Sequence, residues 1–155
     1  MSSLSDSDLE RYSRQILMPE FDVAGQQALA DSHVLVVGAG GLGCPVVLYL
    51  AGAGVGHIEV IDDDHVELAN LQRQIAFTEA DIGRSKAEAL AERAMALNPG
   101  VTVEAIQGRA DQRWLSRAAT RNHLVLDATD NFETRFQVNQ ACVDASVPLV
   151  SGAAI

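Results

Sequence analysis

His33-Val34-Leu35-Val36-Val37-Gly38-Ala39-Gly40-Gly41-Leu42-Gly43 is the stretch that decides the fold. An apolar run of strand length leads straight into a glycine turn. A second apolar run, Ile58-Glu59-Val60-Ile61, ends on Asp62. Strand, glycine turn, helix, strand and acid, in that order, form the layout of a nucleotide-binding unit. Gly38 permits the tight turn, Gly40 lets a phosphate approach the backbone, and Gly43 lets the helix pack close to the strand. The helix that begins at Gly41 and Leu42 offers free N–H groups and a favourable dipole to an anion. Asp62 stands where a carboxylate accepts from both ribose hydroxyls. The pattern names a ligand class but no reaction, because one glycine turn serves hydride transfer and nucleotidyl transfer alike.

Outward from this stretch the alternation continues. Patterning predicts strands over 33–38, 57–62, 101–106, 123–127 and 147–151, and helices over 41–54, 85–97, 111–119 and 131–145. Alternating strand and helix with right-handed crossovers means a Rossmann-like, doubly wound α/β fold, a parallel sheet with helices on both faces. Upstream, Ser5 to Leu17 reads as one polar helix stopped by Pro19, and Asp22 to Ala30 as a second. Residues 1–32 are therefore an N-terminal helical extension, and 33–155 the nucleotide-binding domain. No closing helix follows Val147-Pro148-Leu149-Val150-Ser151. The reading is of a domain incomplete after its fifth strand, with an apolar patch along that strand. The irregular stretch from Asp63 to about Gly83 is long for a compact α/β unit, and such loops carry function.

Composition narrows the partners. The 155 residues suit one domain, and the net charge is −10, with 11 basic against 21 acidic residues. No basic face is visible for general nucleic-acid binding. Met1 to Asp6 has neither a basic start nor an apolar core, so it is not expected to be a signal peptide, and no apolar run approaches membrane-spanning length. Two cysteines, Cys44 and Cys142, give no disulfide framework, so a reducing cytoplasm is the expected home. Both read as helix-packing residues, and His33, His57, His65 and His123 are scattered without metal-ligand spacing.

An acidic protein that handles polyphosphate must place its few cations well. Arg73 is the isolated cation of the acidic loop after Asp62. Ser85 and Glu88 form a capping-box pattern that puts Lys86 at a first helical position. The helix dipole opposes a cation there, so Lys86 either tolerates that penalty in solvent or faces an anionic ligand. The strand Leu124-Val125-Leu126-Asp127 runs into Ala128-Thr129-Asp130-Asn131 beside the glycine turn. There Asp130 either holds a magnesium ion bridging phosphates or, with Asn131, caps the following helix.

Together, Arg11-Tyr12-Ser13-Arg14-Gln15, the Gly38–Gly43 turn, Asn70-Leu71-Gln72-Arg73-Gln74, Lys86 and Asp127-Ala128-Thr129-Asp130-Asn131 resemble the MoeB/ThiF/HesA family, the ubiquitin-activating-enzyme-like adenylyltransferases. The resemblance runs through essentially the whole chain. Val150-Ser151-Gly152-Ala153-Ala154-Ile155 is similar to the molybdopterin-synthase-activating branch, while Tyr12 to Leu17 is shared with the thiamin-pathway branch. The resemblance implies adenylation of the C-terminal glycine carboxylate of a ubiquitin-like sulfur-carrier protein, with ATP as substrate and Mg2+ as cofactor. It implies ATP contacts from Gly38, Gly40, Gly41, Leu42, Gly43, Asp62, Asp64, Asn70, Gln74 and Asn131. Catalytic roles are implied for Arg14, Arg73, Lys86 and Asp130, with Asp130 organising magnesium. Arg14 is similar to an arginine that reaches the ATP of the other subunit, which implies a homodimer. Family members typically carry paired Cys-x-x-Cys motifs for zinc and further sheet that receives the carrier, and neither lies in this chain. The alternative expectation is a nucleotide-binding and dimerisation module without turnover. A nicotinamide-dependent oxidoreductase is the weakest reading, since it leaves Asn70, Arg73, Lys86 and Asp130 unexplained.

Overall fold

The computed structural model describes residues 4–153. Five strands, β1 (His33–Val37), β2 (His57–Asp62), β3 (Thr102–Gln107), β4 (Leu124–Asp127) and β5 (Leu149–Ser151), form one sheet in the order β3-β2-β1-β4-β5. Every strand pair is parallel. The helices are α1 (Asp6–Arg11), α2 (Ser13–Ile16), α3 (Asp22–Ala30), α4 (Gly43–Ala53), α5 (Lys86–Leu97), α6 (Gln112–Ala119) and α7 (Phe132–Ala145). This is the expected Rossmann-like α/β fold. The predicted strands and core helices fall within a few residues of their expected bounds.

Strand β1 shows why both faces are covered. Val34 and Val36 point into one apolar cluster with Ile58, Val60, Val47 and Leu90, beneath α4 and α5. Leu35 and Val37 point into the other, with Ile61, Val125, Leu115 and Val138, beneath α6 and α7. A strand buried on both faces reads as a continuous apolar run rather than an alternation, as Val34 to Val37 does. Fully burying each such side chain contributes about 1.5–3 kcal/mol.

Two expectations need correction. Ser5 to Leu17 is not one helix but two short ones that break at Tyr12. The Tyr12 side chain is buried, and its hydroxyl accepts from Asn98 Nδ2 at 2.7 Å, a contact 86 residues away that local patterning does not contain. The Ser85–Glu88 capping box is half formed: Ser85 accepts from the Glu88 N–H, without the reciprocal bond.

The first three helices dock at the foot of the sheet. Gln15 and Gln26 both donate to the Ala53 carbonyl at the end of α4, at 2.8 and 3.1 Å. At the far edge, Val150 of β5 is 55% exposed, and Phe132, Phe136 and Val143 of α7 are exposed as well. Of the predicted apolar patch along the last strand, Val150 is the exposed apolar residue on β5 itself; the other three belong to α7.

The irregular segment after β2 is ordered by its own contacts. Its two ends meet in an antiparallel bridge between His65 and Ser85. Val66 donates to the Arg84 carbonyl, and Gly83 to that of Val66. Between them lie two 3₁₀ turns, Leu68–Asn70 and Glu79–Asp81, with Val66, Ala76 and Phe77 buried as anchors.

Candidate nucleotide site

Beyond the C-terminal ends of β1, β2 and β4 lies an open cavity of about 1120 Å³. The connection from β1 leaves toward β2 on one side while β4 pairs on the other, so the cavity sits at the topological switch point. Its floor is the glycine turn. Gly38 has φ +101°, a left-handed conformation that other residues adopt only under strain. A Cβ on Gly43 would stand 1.9 Å from the Gly38 carbonyl oxygen, so only glycine lets α4 start this close to β1. Gly40 and Gly41 differ. A Cβ there would meet nothing nearer than 4.0 Å at Gly40 and 3.5 Å at Gly41. The fold does not need glycine at these two positions, and their backbone faces open cavity. Among the described residues, no hydrogen bond uses the N–H groups of Gly41 or Leu42. Such a turn at a helix start is a cradle for phosphate.

Asp62 closes the turn from the β2 side. Its Oδ2 accepts from Ala39 N at 2.7 Å and its Oδ1 from Asp64 N at 2.8 Å. Burial pushes its carboxyl above the ordinary value, against the pull of those two bonds and of Lys86. Each oxygen keeps a second lone pair for a ligand hydroxyl. The carboxylates of Asp62, Asp63 and Asp64 lie within 4.8 Å of one another, so the β2 end is strongly negative.

Lys86 answers that charge. It is 5% exposed, and its Nζ donates to Asp64 Oδ2 at 2.8 Å. The expectation of a lysine tolerated in solvent therefore needs correction: Lys86 is buried in the cavity wall, paired with a carboxylate of the chain itself. A buried lysine is expensive unless paired, and Asp64 supplies the pairing from a largely exposed position. An incoming anion competes with Asp64 for this cation.

Asn70 and Arg73 come from the irregular segment. Arg73 Nη2 donates to Asn70 Oδ1 at 3.2 Å, and the side chain lies along Gly41. Gln74 is buried beside Gly40, and its Oε1 has no hydrogen-bond partner. An unpaired buried amide oxygen costs about 1–3 kcal/mol, which a ligand donor or water in the cavity would offset.

On the β4 side, Asn131 is the N-cap of α7, accepting from Thr134 N at 2.9 Å. This resolves the capping alternative in favour of Asn131. Asp130 is exposed, lines the cavity, and has no hydrogen-bond or ion-pair partner among the described residues. A free carboxylate opposite a phosphate cradle fits a hard cation such as Mg2+.

Of the residues singled out in the sequence, only Gly43 and Arg14 do not line the cavity. Gly43 is the buried helix start beneath it. Arg14 is exposed on α2, with the helices docked at the foot of the sheet, away from this chain's cavity. Two cations were missed by sequence reasoning. Arg109, after β3, and Arg135, in α7, also line the cavity. Only the strand order brings them there, and no local pattern signals it. With Arg73 and Lys86, four of the chain's 11 basic residues gather at one site.

The cysteines pack as expected. Cys44 is fully buried, its Sγ donates to the Ala39 carbonyl at 3.3 Å, and burial pushes its thiol up to about 11. The histidines are less scattered than predicted. His33 stacks on His57 at 4.8 Å and meets His123 edge-on at 5.5 Å, at the foot of three neighbouring strands. Beside them His57, Glu59 and Glu104 approach one another, but both Glu59 oxygens are taken by Arg121, at 2.7 and 2.5 Å. That carboxylate serves an ion pair rather than a metal.

Fold and site thus define a Rossmann-like domain whose glycine turn and four converging cations share one cavity. Residues 12–155 match the ThiF family, and the chain belongs to that family. It is 49% identical over 152 residues to the sulfur carrier protein ThiS adenylyltransferase of Escherichia coli K12, covering 98% of this chain and 61% of that one. It is 46% identical to the molybdopterin-synthase adenylyltransferase of Salmonella typhimurium, covering 100% of this chain and 62% of that one. The chain therefore spans about three-fifths of the length of these relatives. Among solved structures, the E. coli tRNA N6-threonylcarbamoyladenosine dehydratase in complex with ATP superposes with a TM-score of 0.88 at 29% identity. That match covers 97% of this chain and 61% of the other.

Proposed function

We propose that this chain is the nucleotide-binding part of an enzyme that adenylates the C-terminal glycine carboxylate of a ubiquitin-like sulfur-carrier protein. One observation carries the reading. Glycines that the fold does not require, Gly40 and Gly41, face Arg73, Gln74, Lys86 and Asp130 across one cavity. The relatives named as adenylyltransferases of a sulfur carrier protein and of molybdopterin synthase, and a solved neighbour that holds ATP, support it.

In the proposed reaction a carrier carboxylate oxygen attacks the α-phosphorus of ATP. The bond from that phosphorus to the bridging oxygen breaks, and pyrophosphate leaves with the electron pair. The product is an acyl-adenylate. Two anions must meet, so the barrier is chiefly electrostatic and positional, and no protein nucleophile is required. Gly40, Gly41 and Leu42 cradle phosphate through the backbone, and Asp62 accepts from the ribose hydroxyls. Asn70 orients Arg73, which with Lys86 screens the polyphosphate. Asp130 would hold Mg2+, which when bound offsets phosphate charge. Arg14, remote from its own cavity, would serve the site of a second copy in a homodimer.

Pyrophosphate exchange into ATP, dependent on added carrier, tests the reading. Lys86→Met and Arg73→Ala should each lower exchange by roughly a hundred- to a thousand-fold, by analogy with lost oxyanion donors. ATP binding without any carrier-dependent exchange would favour the second reading, a nucleotide-binding module without turnover.

A further inference from the structure

The turn between β4 and α7 is held from two sides. Asp127, the last residue of β4 and 3% exposed, accepts from Thr129 N at 3.0 Å, Thr129 Oγ1 at 2.6 Å and Ser151 Oγ at 2.7 Å. Arg135 donates to the Thr129 carbonyl from Nε at 3.2 Å and Nη2 at 2.7 Å. Its Nη2 also donates to the Gly152 carbonyl, beyond β5. Arg135 Nε lies 3.9 Å from Asp127 Oδ2, so the guanidinium charge is compensated inside the protein.

The N–H, hydroxyl and carbonyl of Thr129 are thus all engaged. The Thr129 carbonyl and the Asp130 nitrogen belong to one planar peptide unit. Fixing that oxygen fixes the plane from which Asp130 projects. Asp130 has no restraining contact of its own, and its neighbour Asn131 is occupied in capping α7.

We infer that Arg135 is a positioning residue: braced by Asp127, its forked guanidinium clamps the Thr129–Asp130 peptide and aims the Asp130 carboxylate into the nucleotide cavity. The inference rests on the proposed role of Asp130 toward magnesium and ATP. It assigns Arg135 no direct contact with the triphosphate, although Arg135 lines the cavity, because two of its three nitrogens are bound to carbonyls. Arg73 and Lys86 remain the cations that meet the ligand.

The test is binding of a fluorescent ATP analogue to the whole chain, with Mg2+ and with EDTA, beside amide hydrogen exchange without nucleotide. Arg135→Met should weaken the magnesium-dependent part of binding by about tenfold, the scale of a lost partner that orients a metal ligand. Binding in EDTA should change little. On an Asp130→Asn background the same substitution should add no further loss, since the two act as one unit. Arg135→Lys, which keeps the charge but not the fork and guards against a folding defect, should resemble Arg135→Met. In both variants the amide of Thr129, which donates to Asp127, should exchange faster while those of β1 stay protected. Additive losses, equal losses with and without Mg2+, wild-type behaviour of Arg135→Lys, or unchanged exchange at Thr129 would overturn the inference alone. A wild-type chain that binds no ATP would overturn it together with the proposed function.

Discussion

At the scale of single residues, the four glycines of the turn separate into two kinds. Gly38 and Gly43 are demanded by the backbone, one by its positive φ and the other by contact with Gly38 itself. Gly40 and Gly41 are not. Gly43→Ala should therefore destabilise the fold by about 1–3 kcal/mol or more, as overpacking does. Gly40→Ala should leave the melting temperature nearly unchanged and weaken ATP binding by roughly tenfold or more, equal to about 1.4 kcal/mol. Paired thermal unfolding and ATP titration would check both. A Gly40→Ala protein that binds ATP as the wild type does would remove the cradle from the mechanism. The residue scale is also where sequence reading was sharpest. Asp62 stood out as the acid that ends a strand, Arg73 as the single cation of an acidic loop and Lys86 as a cation at a helix start. Arg109 and Arg135 were not, because a charged residue in a loop or helix carries no local sign of what will fold opposite it.

At the scale of elements, the five strands were legible because sheet burial on both faces writes a continuous apolar run into the chain. The break at Tyr12 was not, because its cause is Asn98, in a different element. The irregular segment after β2 stood out by its length, and it does line the cavity, but its rigidity was hidden. Asp81 supplies much of it. Its carboxylate accepts from Thr78 N at 2.8 Å, Thr78 Oγ1 at 2.9 Å and Arg84 Nη1 at 3.0 Å. Arg93 lies 3.6 Å away and also donates from Nε to the Ala76 carbonyl, at 3.1 Å. The Thr78 backbone N–H above all, with the hydroxyl and the two arginines, holds the Asp81 carboxyl below its ordinary value. A lowered carboxyl contributes stability that is present above the unfolded value and is lost as pH falls through the folded one. Asp81→Asn should therefore cost about 1–3 kcal/mol at neutral pH and progressively less below about pH 4. Urea unfolding of both proteins across that pH range would check it, and a pH-independent difference would contradict the assignment.

At the scale of the whole molecule, charge is distributed against the average. The chain is acidic throughout, yet Arg73, Lys86, Arg109 and Arg135 converge on one end of the sheet. The other end is given to docked helices, to a row of histidines and to the Glu59–Arg121 pair. Arg121 also lies over the ring of Trp114, at 5.5 Å from its centroid. Trp114 is the chain's single tryptophan. Its indole can be excited apart from the two tyrosines, and the arginine over it is tied to Glu59 of β2. Its emission should shift to the red when the chain unfolds, so a single optical signal reads whether α6 is still packed on the sheet.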